Sequence, residues 1–375
     1  MELLGADYDA AMAARKGPAK AQRVLLGPSP KGAVRRVCMK AVRVHQPGQY
    51  SIDEVPMPVA GPKDVVVKMR ACGICGSDIH FVQRGSLRPD GSPMPLGHEA
   101  TGVVESVGSA VTNIPVGSRV FINPMATNGA IIGTGADEGA FASHILIRNA
   151  VMGESILAVP ADLSMERAAL AEPLAVGLHT VNRGNPTPDS KVAVFGCGPI
   201  GLAAIIWLVR RGVRHIVAID VAEERLEHAR RMGVHATVNP SKEDLAQRLR
   251  EEHGAGAPVM GQPTVGTDIF YDLAAGKGLI DQITAMAKFR SRLVIGAIYI
   301  QPVEVNFRGL IMREMEITTA GVYQQELRDA LNELPAFDPA VLDAYVTSTF
   351  PFDDFDTAFA VAKQVTSAKV MLTFA

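Results

Sequence analysis

The chain has 375 residues, enough for two or three domains with a sizeable core. Apolar residues make up 47%, charged residues 20%, and the formal net charge is −2, so there is no general electrostatic footprint for nucleic acid or an anionic membrane. No apolar run reaches the length of a membrane span, and four cysteines in so long a chain do not make a disulfide framework. We expect a cytoplasmic protein with neither nucleic-acid nor membrane partners.

Residues 1–38 are rich in Ala, Gly, Pro and Arg and show no sustained periodicity. Scattered acidic residues and the lack of an uninterrupted apolar stretch argue against a secretory signal or a transit peptide. We predict a flexible N-terminal extension, or an upstream start, before a domain that begins at Met39.

From Met39 onward, short β-rich runs alternate with turns marked by Gly and Pro, which is typical of an all-β, partly barrel-like domain. A helix is expected after Ser164, a plausible cap. The predicted strands of this part are 39–45, 65–71, 101–107, 119–122 and 141–147.

From Ser190 the pattern changes to buried strands that alternate with helices, which predicts a parallel sheet and an α/β fold. The tail after about Thr318 is expected to return and complete the first domain. The predicted strands are 191–195, 215–219, 237–239, 268–273, 292–298 and 369–374, and the predicted helices are 199–211 and 223–232. The predicted domain boundaries are 39–178 and 318–375 for a divided first domain and 179–317 for the parallel-sheet domain.

A glycine-rich turn lies between the strand 191–195 and the following helix. The first glycine of such a turn allows tight reversal, the second lets backbone approach a pyrophosphate, and the third permits close helix–strand packing. The helix N-terminus offers free N–H groups to phosphates. The motif reads Gly196-Cys-Gly198-Pro199-Ile200-Gly201, and it predicts a dinucleotide site over the alternative of an ordinary strand-end turn.

Asp220 ends the next strand, 19 residues after Gly201. A carboxylate there accepts hydrogen bonds from ribose hydroxyls and repels a 2′-phosphate, which favours NAD over NADP. Arg225 is a candidate to flank the adenosine, although a solvated arginine on a helix face is nearly as good an interpretation.

Cys75, His98 and Glu99 supply a thiolate, an imidazole and a carboxylate, the ligand types that hold Zn²⁺ with a position left open. Glu172 can add an oxygen from elsewhere in the fold. Three of these residues have an ordinary alternative interpretation: His98 as a loop histidine, Glu99 as a surface charge and Glu172 as a charge that flanks a helix. A redox pair of Cys72 and Cys75 is disfavoured, because the segment follows a strand-like stretch but is not placed to open a helix in a thioredoxin-type unit. Cys72 is interpreted as a buried apolar residue.

Four ordered motifs across residues 39–375 resemble the zinc-dependent medium-chain dehydrogenase/reductases, and within them the sorbitol, L-idonate and threonine dehydrogenase-like branch. The motifs are Gly-Ile-Cys75-Gly-Ser-Asp-Ile-His, Gly-His98-Glu99, Ala-Glu172-Pro-Leu-Ala-Val and the glycine-rich turn ending at Gly201. The resemblance implies a GroES-like catalytic domain interrupted by a Rossmann domain, with zinc in the cleft. It also implies a homo-oligomer, either a dimer or a tetramer.

Carried over by position, the resemblance makes Cys75 and His98 zinc ligands, with Glu99 and Glu172 a ligand pair of variable use. Asp78 would orient His98. Two further residues would move the alcohol proton: Ser77 would receive it and His80 would pass it toward solvent. Zinc acts as a Lewis acid that eases loss of that proton, and the nicotinamide exchanges the hydride.

The sequence departs from the family in two places. The family's structural zinc lobe carries four closely spaced cysteines, whereas residues 123–139 contain none, so we expect one catalytic zinc and no structural zinc. Polyol and sugar-acid members tend to have Phe-Arg where this chain has Tyr323 and Gln324, so the arginine charge that contacts substrate hydroxyls or carboxylate is missing.

Three functions remain open from the sequence. The first is a zinc- and NAD-dependent dehydrogenase that interconverts a small secondary alcohol, polyol or hydroxy acid and its ketone. The second is a zinc-free, NADPH-dependent quinone or enone reductase of the same fold. The third is a non-catalytic nucleotide-binding protein. Cys75, His98 and Asp220 argue against the second, and the proton path at Ser77 and His80 argues against the third.

Overall fold

The structure of the protein, a computed structural model, describes residues 37–127 and 130–375. The expected N-terminal extension therefore lies, except for its last two residues, outside the described part of the chain. No helix in the described ranges is long and apolar enough to cross a membrane.

The described residues form eighteen strands and eleven α-helices. The strands are β1 (Cys38–Val44), β2 (Tyr50–Pro56), β3 (Val65–Ile74), β4 (Met94–Pro95), β5 (Glu99–Val107), β6 (Arg119–Ile122), β7 (His144–Ile147), β8 (Ile156–Ala158), β9 (Lys191–Phe195), β10 (His215–Ile219), β11 (Ala236–Val238), β12 (Ala255–Val259), β13 (Gln262–Val265), β14 (Ile269–Asp272), β15 (Arg292–Ile295), β16 (Glu316–Thr319), β17 (Val346–Pro351) and β18 (Lys369–Thr373). The helices are α1 (Gly76–Arg84), α2 (Met165–Ala169), α3 (Ala171–Gly184), α4 (Pro199–Arg210), α5 (Glu223–Arg231), α6 (Leu245–His253), α7 (Leu279–Met286), α8 (Phe307–Arg313), α9 (Glu326–Glu333), α10 (Pro339–Tyr345) and α11 (Phe355–Ala362).

The first and last parts of the chain share one β-rich unit. A seven-stranded sheet has the order β17-β18-β3-β5-β6-β8, with β7 also paired to β3, and a smaller sheet has the order β2-β1-β4. Strand β18 pairs antiparallel with β3, so that Met371 lies opposite Gly73. In turn, β3 pairs with β5, which places Gly73 opposite Glu99. The C-terminal strand is thereby brought beside the segment that carries Cys75.

Residues 191–319 contain a six-stranded sheet of order β11-β10-β9-β14-β15-β16, parallel in every pair. This is the strand order of a doubly wound dinucleotide-binding fold. In such folds the ligand lies beyond the carboxyl ends of the strands, at the point where the strand order reverses. Here that point is between β9 and β14. Helix α4 follows β9 directly and is buried along most of its length. The Trp207 indole Nε1 donates to the Leu174 carbonyl at 2.8 Å, which joins α4 to α3.

Some elements agree with the sequence-based predictions and others differ. Strands β6, β9 and β10 have the predicted bounds, and Ser164 caps α2 by accepting from the Arg167 N–H. The strand expected from Arg292 ends at Ile295, and the hairpin β12–β13 was not predicted. Helix α1, which has Cys75 as its N-cap, was not predicted. Only two of the nine α1 residues are buried, so its sequence shows too little apolar periodicity to predict a helix.

Candidate active site

Asp78 holds together the two segments that carry the expected metal donors. Its carboxylate is completely buried and accepts from the Cys75 N–H at 2.8 Å and from the Gly97 N–H at 3.3 Å. Its Oδ1 lies 3.6 Å from His98 Nδ1. Asp78 thus positions the start of α1, the turn before β5 and the imidazole together, as expected for a group that orients a metal-binding histidine.

The structure brings Cys75, His98 and Glu99 together. One sulfur, one imidazole nitrogen and one carboxylate oxygen lie within 4.8 Å of one another. His98 is 7% exposed and Glu99 is fully buried. Burial disfavours a charged imidazole, yet the nearby Asp78, Cys75 and Glu172 raise the pKa of His98 well above its ordinary value. A thiol, an imidazole and a carboxylate in one cluster are ligand types that fit a zinc ion.

Glu172 lies beside this group without being part of it. It is in the first turn of α3 and is 6% exposed. Burial, reinforced by the neighbouring Glu99 charge and opposed by His98, raises the pKa of Glu172 to about 7. Its interactions with His98 and Glu99 show that it faces the same space. The structure therefore groups three of the four expected ligands and places the fourth next to them.

Lys369 was not identified from the sequence, although it is tied directly to Glu99. Its Nζ donates to both Glu99 carboxylate oxygens, at 2.6 and 2.8 Å, and to the Ile74 carbonyl at 3.2 Å. Both side chains are at most 1% exposed. Burial would lower the pKa of Lys369, but Glu99 and other neighbours raise it. The signal in the sequence was a lysine at the start of an otherwise apolar strand.

Gly73 is required by the position of Glu99. A Cβ built on Gly73 would lie 1.9 Å from Glu99 Oε2 and 3.3 Å from the Lys369 side chain. A glycine inside a strand is typical of such a close approach. Cys72, its neighbour in β3, is completely buried, and burial raises the pKa of its thiol. This agrees with an apolar role for Cys72.

Ser77 and His80 both lie on α1, close to Cys75 in sequence. The Ser77 Oγ is buried and has no hydrogen-bond partner among the described residues. His80 is half-buried. No hydrogen bond joins the two side chains in the described part of the chain, so the protein alone does not complete the expected proton path.

The glycine-rich turn has the geometry that its spacing predicts. Gly196 has a φ of +93°, and a Cβ on it would lie 2.7 Å from the Leu273 carbonyl oxygen. Gly198 is the N-cap of α4, and a Cβ there would meet nothing within 4 Å. A Cβ on Gly201 would lie 1.8 Å from the Gly196 oxygen. Pro199 begins α4 and is followed by the half-buried Ile200. The open side at Gly198 leaves the helix N-terminus free for phosphates.

Asp220 is held in place beside this turn. It is 6% exposed; Oδ2 accepts from the Cys197 N–H at 2.8 Å and Oδ1 from the Ala222 N–H at 2.9 Å. The Arg225 Nη1 lies 3.8 Å from Oδ2, and Arg225 Nε is buried without a partner among the described residues. Contacts within the protein therefore hold the Asp220 carboxylate in place without a bound cofactor.

A cavity of about 310 Å³ connects the two halves of the site. Its lining includes Cys75 from the start of α1, Pro199 from the start of α4, Arg225 from α5 and Ser367 before β18. A group held by the glycine-rich turn and a group held at Cys75 would thus share one space. Such a cleft between a cofactor-binding unit and a metal-binding unit is a common place for a reaction centre.

Comparison with known proteins agrees with this geometry. Residues 61–156 match the family model described as alcohol dehydrogenase GroES-like domain, and residues 199–336 match zinc-binding dehydrogenase. (R,R)-butanediol dehydrogenase of Bacillus subtilis (strain 168) is 30% identical over 302 residues, covering 74% of this chain and 83% of that protein. Sorbitol dehydrogenase of Homo sapiens is 29% identical over 350 residues, covering 88% and 94%.

Among solved structures, 2R,3R-butanediol dehydrogenase from Bacillus subtilis superposes with a TM-score of 0.78 at 27% identity, covering 89% of this chain and 99% of that one. These matches confirm the predicted fold class, a GroES-like β-rich domain combined with a Rossmann domain. They also agree with the zinc and dinucleotide sites built above. The chain belongs to the zinc-dependent medium-chain dehydrogenase/reductase family.

Proposed function

We propose that this protein catalyses the reversible transfer of a hydride between NAD(H) and a small secondary alcohol, polyol or hydroxy acid, with one zinc per chain. As a family member it is an alcohol/polyol dehydrogenase. The observation that carries the proposal is the cavity lined by both Cys75 and Pro199, since one expected metal donor and the start of the helix after the dinucleotide turn border the same space. The zinc-free reductase alternative is not favoured, because a complete donor set is present.

Cys75, His98 and Glu99 would hold the zinc, and Glu172 would stand beside it as a replacement ligand or a partner for a bound water. The grouping of the first three donors within 4.8 Å supports this division. Zinc supplies Lewis-acid chemistry when bound, which favours removal of a proton from an alcohol. Lys369 holds Glu99 by both oxygens and offsets part of the negative charge collected around the metal position.

Ser77 would accept the alcohol proton and His80 would deliver it toward solvent. The Ser77 Oγ is buried with no partner in the described chain, so it is free to bond a substrate hydroxyl. His80 is half-buried, so part of its side chain is open to water, as delivery of the proton to solvent requires. A positioned acid–base group of this kind contributes typically about 10²–10⁴-fold to rate.

NAD would be preferred over NADP because of Asp220. Its buried carboxylate is fixed by two backbone N–H groups and still has lone pairs for ribose hydroxyls. A 2′-phosphate would meet a like charge there. Gly196, Gly198, Pro199, Ile200 and Gly201 would hold the pyrophosphate, and Arg225 would flank the adenosine.

A single zinc is supported by the sequence between Asn123 and Gly139, which offers no cysteine for a structural site. A cytoplasmic location is supported by the composition, since four cysteines in 375 residues do not make a disulfide framework. A homo-oligomer is supported by β16, which is an edge strand of its sheet in the described part of the chain, and by exposed apolar side chains in the segment that precedes it in the sequence. These are Ile298 (84% exposed), Ile300 (68%), Phe307 (70%) and Ile311 (66%). A second copy would cover such a surface.

A panel of secondary alcohols, polyols and hydroxy acids, followed by NADH formation, tests the proposal. Wild-type protein should oxidise at least one class, and Cys75→Ser should lose both its zinc and the activity. Turnover of quinones or enones with NADPH that survives zinc removal would instead identify a zinc-free reductase. Tight NAD binding without turnover across the panel would point to a non-catalytic protein.

A further inference from the structure

Asp272 ends β14 at the point where the strand order of the parallel sheet reverses. It is completely buried, and β14 pairs with β9 on one side and with β15 on the other. Its backbone carbonyl accepts from the N–H groups of Gly296 and Ala297, at 2.9 and 3.0 Å, just beyond β15. Its carboxylate Oδ1 accepts from the N–H groups of Ala274 and Ala275, at 3.1 and 3.0 Å. One residue thus fixes the start of both connections that leave this edge of the sheet.

The other carboxylate oxygen of Asp272 binds Tyr299 from the segment after β15. The Tyr299 hydroxyl donates to Oδ2 at 2.5 Å, and its ring packs against the apolar core of the parallel-sheet domain. Tyr299 is half-buried, whereas its neighbours Ile298 and Ile300 are 84% and 68% exposed. In the described part of the chain, no other hydrogen bond joins residues 298–304 to the rest of the protein. The phenol is therefore the polar attachment of this segment to the sheet.

The strand order indicates which part of a dinucleotide would lie at this edge. Strand β10, which Asp220 follows, lies on one side of β9, and β14 and β15 lie on the other. With adenosine at Asp220 and the pyrophosphate at the turn after β9, the remaining half extends over β14 and β15. That turn touches the loop after β14, since a Cβ on Gly196 would lie 2.7 Å from the Leu273 carbonyl oxygen. Asp272 and Tyr299 thus shape the side of the crevice that the nicotinamide half would occupy.

We propose that Tyr299 is a positioning residue for the cofactor, which through Asp272 holds residues 296–300 as the wall against which the nicotinamide half of NAD(H) packs. This inference rests on the proposed dehydrogenase function and adds a residue to it. Without the bond, the segment occupies its attached position for a smaller fraction of the time, and the apparent dissociation constant rises by the same factor. A ligand that reaches only the adenosine and phosphate positions does not touch this wall, so its affinity is independent of the bond.

The test compares NADH with ADP, which carries the adenosine and the diphosphate of NAD but no nicotinamide. Tyr299→Phe removes only the hydroxyl that Asp272 accepts. Its dissociation constant for NADH, measured by fluorescence titration, should rise about 5- to 50-fold, because a hydrogen bond to a charged acceptor is lost. Its dissociation constant for ADP, measured by calorimetry, should stay within about twofold of the wild-type value. In steady-state assays the KM for NAD should rise by a larger factor than kcat falls.

Tyr271→Phe is the matched control, because Tyr271 directly precedes Asp272 in β14 and its side chain lies on the opposite face of the sheet. Its hydroxyl donates to the Val181 carbonyl at 3.1 Å. This variant also loses one hydrogen bond of a phenol, yet it should bind NADH and ADP as the wild type does.

An unchanged affinity of Tyr299→Phe for NADH would overturn the inference, and so would an equal loss of NADH and ADP affinity, which would assign Tyr299 to the fold alone. Either result leaves the dehydrogenase function standing. A wild-type protein that binds no NADH would instead refute the proposed function, and this inference with it.

Discussion

Replacement of Asp220 by Ser should convert the cofactor preference of the enzyme. The carboxylate is nearly fully buried, so its charge is poorly screened. A unit charge about 4 Å away interacts with it by about 4 kcal/mol at an effective dielectric constant near 20. A hydrogen bond from a ribose hydroxyl to a charged acceptor contributes about 1.5–3 kcal/mol. Losing that bond lowers NAD use, and losing the repulsion raises NADP use.

We expect kcat/KM with NAD to fall about 10- to 100-fold and kcat/KM with NADP to rise by at least about tenfold. The assay is the initial rate of reduced cofactor formation with each cofactor at a fixed alcohol concentration. Adding Arg225→Gln to the Ser variant should reverse the gain with NADP, because the Arg225 guanidinium is released when Asp220 is lost. A wild-type enzyme that already prefers NADP, or equal losses with both cofactors, would refute the role given to Asp220.

Three further predictions concern the metal site, the proton path and the fold. Gly73→Ala should displace Glu99, which should weaken zinc binding at least about tenfold and destabilise the protein by about 1–3 kcal/mol. Zinc titration measures the first effect and denaturant unfolding the second. Wild-type values in both assays would contradict the close packing of Glu99 against Gly73. His80→Ala should keep the wild-type affinity for zinc and NAD, but its kcat should fall about 10²–10⁴-fold and recover in part in imidazole buffer. Loss of zinc from this variant would instead assign His80 a structural role. Burial lowers the pKa of His253 from 6.5 to about 4, so the unfolded chain binds a proton in this range that the folded one does not. The free energy of unfolding should fall as pH drops from 6.5 to 4, by up to about 3 kcal/mol. His253→Asn, which keeps an acceptor for Thr267, should flatten that dependence; an identical slope in both proteins would show that His253 does not cause it.

The candidate metal and cofactor residues could be named from the sequence because their motifs are local. Cys75 follows a strand, His98 and Glu99 are adjacent, and the glycine-rich turn needs only a strand before it and a helix after it. Asp220 follows from the same unit, since it ends the next parallel strand. Within each motif, short-range spacing sets which residues are neighbours, whereas the meeting of Cys75 with His98 also needs the pairing of β3 with β5.

The residues that were missed depend on contacts between distant segments. Lys369 meets Glu99 only because β18 pairs with β3, and β3 pairs with β5. Gly73 matters only because β5 brings Glu99 opposite to it. Helix α1 was missed for a local reason, since its short and mostly exposed sequence has too little apolar periodicity to predict a helix.

The central claim is that Cys75, His98 and Glu99 bind one catalytic zinc in a chain without a structural zinc. Elemental analysis of purified wild-type protein beside Cys75→Ser tests it most directly. We predict close to one zinc per chain in the wild type and almost none in the variant, with the variant still folded and able to bind NAD. Two tightly bound zincs in the wild type, or an active wild type without zinc, would contradict the claim.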